Sequence, residues 1–301
     1  MASIATTAPG ATAAAEEQAE VQASRTGRGV RLTLFYLVLL VIAVVFITPY
    51  LFSVFAAFKP LTAILSESPA RPPTASTFTL DNFKDIFTQY DFGRYLANTL
   101  IVTVILTAGQ VTFSLLGAYA FARMEFPGRD GLFWMYLATL MVPNVVTMVP
   151  LYVMFAHSGL LNTYWAIFLP YVLGTPAAVF LMRQYFMTIP KEVMEAARLD
   201  GCSESRILWR IIVPISRPII ITATLLAFVF GWNNFLWPLI VTNSNHLNVL
   251  TVGISNFNSN FSVQWNLILA GSLVALIPMV ILFAIFQKYI VRSISLTGIN
   301  R

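Results

Sequence analysis

Between Thr188 and Pro218 the chain reads TIPKEVMEAARLDGCSESRILWRIIVPISRP, and here residue type and spacing come closest to doing work. Pro190 and Lys191 open a helix with Glu192 and Glu195 in its early turns, where the helix dipole favours acidic side chains. Gly201 suits a left-handed position just past the end of that helix. Ser203 can cap a second helix, on which Arg206 and Arg210 stand one above the other at i, i+4. Pro214 and Pro218 then bend the chain back. The work implied is mechanical: two short helices joined by a rigid elbow. Ala196 and Ala197 are small enough to let another surface approach, whereas Leu208, Trp209, Ile211 and Ile212 can bury against an apolar bundle.

A second group is polar, uncharged and set among apolar residues. Asn98, Thr99, Thr103, Thr107, Gln110 and Ser114 recur along one stretch, Asn144 and Thr147 along another, and Asn233 and Asn234 lie between Trp232 and Trp237 in GWNNFLWP. Such residues could line a polar pathway for a hydroxyl-rich solute, or could only hydrogen-bond helix to helix. Two asparagines between two tryptophans cannot easily face lipid. The pathway candidates are therefore Asn98, Asn144, Trp232, Asn233, Asn234 and Trp237, with the indoles suited to stacking on a sugar ring. Other chemistry is poorly supplied. The single Cys202 excludes a disulfide scaffold and a cysteine zinc site. His157 and His246 sit near apolar boundaries and read as interfacial hydrogen-bonding residues. No carboxylate or arginine falls at depth, which argues against ion-coupled transport by this chain alone. No Gly is followed by Lys, so the phosphate-cradling loop of an ATPase is missing.

The elements that must position these residues follow from the distribution of charge. Of 301 residues, 57% are hydrophobic and only 10% charged, against roughly a quarter charged in soluble domains. Residues 32–58, 95–122, 131–182 and 218–287 hold no Asp, Glu, Lys or Arg. About 20 apolar helical residues cross a bilayer, so the two shorter runs hold one span each and the two longer ones two each. The spans are expected near 32–57, 95–122, 132–156, 161–182, 218–241 and 265–289. Residues 1–30, rich in Ala and Thr, read as a disordered cytoplasmic tail with at most a transient helix over Ala13–Ala23; 31–301 form one membrane domain. A short amphipathic helix, LDNFKDIFTQY, closes the loop after the first span. Taken on alternate sides of six spans, 14 of the 18 Lys and Arg fall on one side, which places both termini and the 183–217 loop in the cytoplasm. The net charge of +5 is spread through loops and is not a nucleic-acid signal.

The order Glu195-Ala196-Ala197, Asp200-Gly201, then Pro214 resembles the EAA loop of binding-protein-dependent ABC importer permeases. Around it NTLIVT, AYAFARMEFPGRDGLF, GLLNTYWAIFLPY, GWNNFLWPLIV and QKYIVRSISLTGI are similar to the carbohydrate-uptake class that includes the maltose permeases. The resemblance covers about 32–301 and implies an all-α membrane protein, with six transmembrane helices of the type I importer kind and a cytoplasmic coupling helix. It also implies a transport subunit that is not an enzyme. Its partners would be a second homologous permease, two ATP-binding cassette subunits that bind ATP and magnesium in this chain's stead, and an extracytoplasmic solute-binding protein. Glu195, Ala196, Ala197, Asp200, Gly201 and Ser203 would meet the ATPase. Thr297, Gly298, Ile299 and Asn300 would reach its dimer interface, although the ending Gly298-Ile299-Asn300-Arg301 departs from the usual Gly-Ala-Val-Lys-Gly-like tail. The cargo implied is a sugar or oligosaccharide, with glycerol 3-phosphate or a related polyol phosphate as the alternative. An intramembrane enzyme would call for interfacial Asp, Glu, His or Cys clusters, and an exporter or insertase component leaves the 195–218 loop unexplained.

Overall fold

A computed structural model of the chain describes residues 10–68, 70–258 and 263–296. Helix α1 (Gly10–Ala57) is one 48-residue helix, and its apolar part is Arg31–Ala57. Residues 10–30 continue the same helix, where the sequence reads as a tail; Ala, Glu and Gln are strong helix formers, and an established helix propagates more readily than a new one nucleates. Residues 1–9 lie outside the described part. Two short helices, α2 (Leu61–Ser66) and α3 (Asp81–Thr88), follow, the second matching the expected amphipathic segment. Asn82 on α3 donates to the carbonyls of Ala57 and Lys59, both at 2.8 Å. The buried Lys59 ammonium pairs with Glu67 at 2.9 Å and holds that carboxyl below the usual carboxylate range.

Helix α4 (Phe92–Arg123) is the axis of the molecule. Its polar residues Asn98, Thr99, Thr103, Thr107, Gln110 and Ser114 are all buried against protein, whereas Leu100, Ile101, Val104 and Ile105 face outward. The period follows from 3.6 residues per turn. In lipid an apolar helix face needs no protein cover, but a polar one does. Next come α5 (Arg129–Ala138), a 3-10 turn at Thr139–Met141 and α6 (Asn144–His157). Then α7 (Tyr164–Val172) and α8 (Pro176–Met187) pack along α4. The elbow comprises α9 (Lys191–Leu199) and α10 (Glu204–Ile207), which passes through a π-turn at Leu208–Ile212 into α11 (Val213–Ile215). The wide turn precedes Pro214, whose ring would crowd a regular helix at the carbonyl four residues back. Helix α12 (Arg217–Trp232) returns along α4, followed by α13 (Leu236–Val241), α14 (Leu250–Ser255) and α15 (Trp265–Leu296).

Among the described residues four helices, Arg31–Ala57, Phe92–Arg123, Tyr164–Met187 and Trp265–Lys288, are long and apolar enough to cross a membrane. The count reaches six if each of two bent pairs is one span: 129–141 with 144–157, bent by 98°, and 204–215 with 217–232, bent by 84°. The interior of three expected spans differs from straight helices. The third breaks at Val142–Pro143, because the residue before a proline is driven to extended backbone, here ψ 117°. The fourth is interrupted at Gly174, with φ +99°, before Thr175 caps α8 and Pro176 takes its first turn. The fifth stops at Trp232 and restarts at Leu236, so that Pro238 falls in a first turn, where its missing N–H costs nothing.

Candidate functional site

The elbow is held by its own backbone and by the core beneath it. Gly201 has φ +76°, the left-handed position expected of it. Cys202 N–H bonds to Ala197 O at 2.9 Å and Gly201 N–H to Arg198 O at 3.0 Å, the paired closure that consumes the last carbonyls of a helix. No atom stands within 4 Å of where a Cβ at Gly201 would lie, so the backbone angle alone demands glycine. The Ser203 side chain accepts from Arg206 N–H and caps α10. Met194, Ala197 and Ile207 are buried in one apolar cluster with Tyr119, Phe133, Phe186 and Ile189. Each of the larger side chains here, Met194, Ile207, Phe133, Phe186 and Ile189, is worth up to about 1.5–3 kcal/mol when buried, and together they seat the elbow on the bundle.

This packing sorts the coupling candidates. Glu195, Ala196, Asp200, Gly201 and Ser203 are exposed. Ala197 is not: it is 7% exposed and packs inward, because positions 194 and 197 share the inner face of α9 at i, i+3. Its small size serves the fit to the core. Trp209 is half exposed where burial was expected, since the π-turn shifts the register of the residues around it. Leu199 stands 90% exposed at the tip of the elbow. In the sequence it passes for an ordinary helix residue, although an apolar side chain directly before Asp200-Gly201 is a readable signal. Thr297, Gly298, Ile299 and Asn300 lie outside the described residues.

Two contacts tie the elbow to α4. The Tyr119 hydroxyl donates to Glu204 Oε2 at 2.6 Å, and Arg198 Nε donates to Glu204 Oε1 at 2.8 Å. One carboxylate thus joins α4, α9 and α10. One turn beyond Tyr119, the buried Arg123 guanidinium donates to the carbonyls of Phe186 and Ile189, where α8 ends and a cation meets the negative pole of the helix. Neither Tyr119 nor Arg123 stands out in the sequence, though their i, i+4 spacing at the end of an apolar helix is the pattern that could have found them.

The pathway candidates divide differently. Asn98 is 2% exposed; its amide donates to His246 O at 2.8 Å and Asn248 O at 2.9 Å and accepts from the Tyr164 hydroxyl at 2.7 Å. It is a clamp between α4 and the 243–249 loop. Trp232 and Trp237 are buried, and their indole N–H groups are spent on Ala275 O and Ala166 O at 3.1 and 2.8 Å. Trp237 also meets Phe155 edge to face. In this conformation the indoles expected to stack on a solute fill the space beside a helix break. Asn233 is exposed and bonds back to Val229 O. Asn234 carries a buried, unpaired Nδ2, while its carbonyl accepts from Thr251. The six candidates do not converge on one site.

Asn144 does line a cavity. It lies where α6 and α8 begin, between α4 and α12, with a volume of about 520 Å³, and Gln110, Thr139, Thr175, Tyr171 and Phe230 line it too. Gly174 permits the turn there: its φ is +99°, and a Cβ would stand 3.0 Å from Ser114 Oγ. Thr175 N–H bonds to that same hydroxyl at 3.2 Å.

The sequence pattern of the family described as binding-protein-dependent transport system inner membrane component matches residues 110–296. The chain is 35% identical over 260 residues to an arabinooligosaccharides transport system permease protein of Halalkalibacterium halodurans, covering 86% of this chain and 93% of the relative. It is 35% identical over 205 residues to an sn-glycerol-3-phosphate transport system permease protein of Yersinia pestis, covering 67% of this chain and 73% of the relative. The backbone resembles a chain of a bacterial ABC transporter that imports the acidic polysaccharide alginate, with TM-score 0.76 and 22% identity over 85% of this chain and 95% of that one. A second likeness, TM-score 0.61, is to the alginate transporter in complex with its pentasaccharide-bound periplasmic protein, at 16% identity over 85% and 94% of the two chains.

Proposed function

Since the chain belongs to the family of binding-protein-dependent transport system inner membrane components, an ABC importer permease and not an enzyme, we propose that it moves an uncharged sugar or oligosaccharide into the cell. In this reading a second permease completes the translocation pathway, two ATP-binding subunits bind to the elbow side, and an extracytoplasmic protein delivers the solute. In this reading both termini and the elbow face the cytoplasm, which the asymmetry of Lys and Arg supports. Glu195, Ala196, Asp200 and Gly201, with Leu199 between them, are the surface against which the ATPase pushes. Thr297–Asn300 would reach further onto it.

The observation that carries this reading is the build of the elbow. Its inner residues are locked into the bundle core and tied to α4 by Tyr119–Glu204–Arg198, while its outer face is exposed and includes the bare Leu199 side chain. A push on that face is delivered to α4 and α8 and is not absorbed locally. One feature favours the alternative cargo, a polyol phosphate: the starts of α6 and α8 border the cavity, and helix N-termini attract anions. Purification of the tagged chain under mild detergent, with mass spectrometry of what stays bound, tests the assembly. The expected result is an ATPase with a phosphate-binding loop and a second multi-span permease, and uptake by the reconstituted complex then separates an arabinose oligosaccharide from glycerol 3-phosphate. Recovery of the chain alone, even after crosslinking through cysteines placed at 195 and 201, would overturn the coupling assignment.

A further inference from the structure

The buried face of α4 carries more hydrogen-bonding capacity than this conformation uses. Asn98, Thr99 and Ser114 have partners there, but Thr103 Oγ1, Thr107 Oγ1 and Gln110 Oε1 are buried without one. The three stand at i, i+4 and i+7, on one line along the helix. Buried polar atoms are nearly always paired, and an unpaired one is unfavourable. A line of three therefore calls for a partner that this conformation does not supply. At its upper end Thr103 packs against α12, 3.3 Å from where a Cβ at Gly231 would lie. At its lower end Gln110, only 4% exposed, lines the cavity of about 520 Å³, a size within the range of about 300–1,000 Å³ common to small-molecule sites.

The cavity has two kinds of wall. Gln110, Asn144, Thr139 and Thr175 offer amide and hydroxyl groups. Tyr171 and Phe230 offer a pair of rings set edge to face at 5.1 Å. A sugar ring is divided the same way, with hydroxyls at its edge and C–H groups on its faces, and the faces suit aromatic rings. The N-termini of α6 and α8 would draw an anion, but among the described residues no Lys or Arg lines the cavity and much of its wall is aliphatic, where a charge is costly to desolvate. We infer that this cavity is a subsite for one uncharged sugar ring, and that Thr103, Thr107 and Gln110 form the track its hydroxyls follow when α4 and α12 part. The inference rests on the importer reading and gives it a place and a cargo chemistry.

The test uses the whole importer with its partner subunits in nanodiscs, with single cysteines at 103, 107 or 110 and the native Cys202 as internal reference. Each thiol is labelled with neutral hydroxyethyl, cationic trimethylammonioethyl or anionic sulfonatoethyl methanethiosulfonate, and labelling is read peptide by peptide. Gln110→Cys is expected to react in the nucleotide-free complex at least tenfold faster with the neutral reagent than with the anionic one. Thr103→Cys and Thr107→Cys are expected to react at least tenfold faster during ATP turnover than at rest. A position 110 inert in every state, or fastest with the anionic reagent, overturns the subsite. Rates at 103 and 107 that ignore ATP overturn the track. If no ATP-hydrolysing assembly forms with any variant or the native chain, the importer reading itself fails and this inference falls with it. That result is distinct from an active complex whose position 110 never reacts.

Discussion

Tyr119 and Glu204 are 85 residues apart in the chain and share a 2.6 Å hydrogen bond. The carboxylate is half exposed and also paired with Arg198, so its contribution is discounted for solvent, and losing the phenol hydroxyl should cost about 1 kcal/mol. The functional effect should be larger than the stability effect. In the assembled importer, Tyr119→Phe and Glu204→Gln are each expected to lower transport per ATP hydrolysed while basal hydrolysis persists. The double variant should be little worse than Glu204→Gln alone, because that change already weakens the Tyr119 contact along with the Arg198 pair. Additive losses, or an unchanged transport-to-hydrolysis ratio, would show that the contact is only structural. A second prediction concerns Lys59, whose ammonium is buried with Glu67 as its partner. The pair holds the Glu67 carboxyl below its ordinary value, so the stability it contributes is present above the unfolded value of about 4.3 and is lost as pH falls through the lower folded one. Thermal melts of the solubilised protein should therefore decline more steeply on acidification through that window than those of Glu67→Gln. Parallel declines would assign the acid sensitivity to other groups.

At the scale of elements, helix ends and breaks do more than helix interiors. Gly201 closes α9 through its left-handed backbone and nothing else, with no neighbour to crowd a side chain. A β-branched residue there should cost about 1–2 kcal/mol, and asparagine, which visits that conformation more readily, should cost less. Gly201→Val is expected to lower the melting temperature and uncouple hydrolysis from transport, with Gly201→Asn retaining most of both. Equal behaviour of the two variants would mean that contact at 201, and not the elbow's geometry, is what matters. The breaks before α6 and α8 fall at Val142-Pro143 and Gly174-Thr175-Pro176, inside stretches that read as single spans. What their spacing could not show is that both breaks open onto the same cavity, which depends on how α4 and α12 cross.

For the whole molecule, the apolar part of α1 is exposed to lipid or another subunit along nearly all its length, and α6 presents Val145, Val146 and Val149 outward. A chain with so much bare apolar surface is built to be surrounded. That much was settled by the sequence, because hydrophobic thickness and backbone satisfaction leave an uncharged run of 27 or 28 residues few alternatives to a spanning helix. The elbow was equally legible, since a proline start, a glycine stop and a serine cap act locally and need no distant partner. The pathway was not. Asn98, Asn144, Trp232 and Trp237 look alike as polar or amphipathic residues among apolar ones, yet one became a clamp, one a cavity wall and two became core. Hydrogen-bonding capacity is a property of a residue, but whether it is spent depends on which carbonyls the packing brings within about 3 Å. Local chemistry therefore fixed the apolar runs and the elbow, and only the tertiary crossing of α4 with α8 and α12 decided which polar groups were consumed in holding the bundle and which were left without a partner.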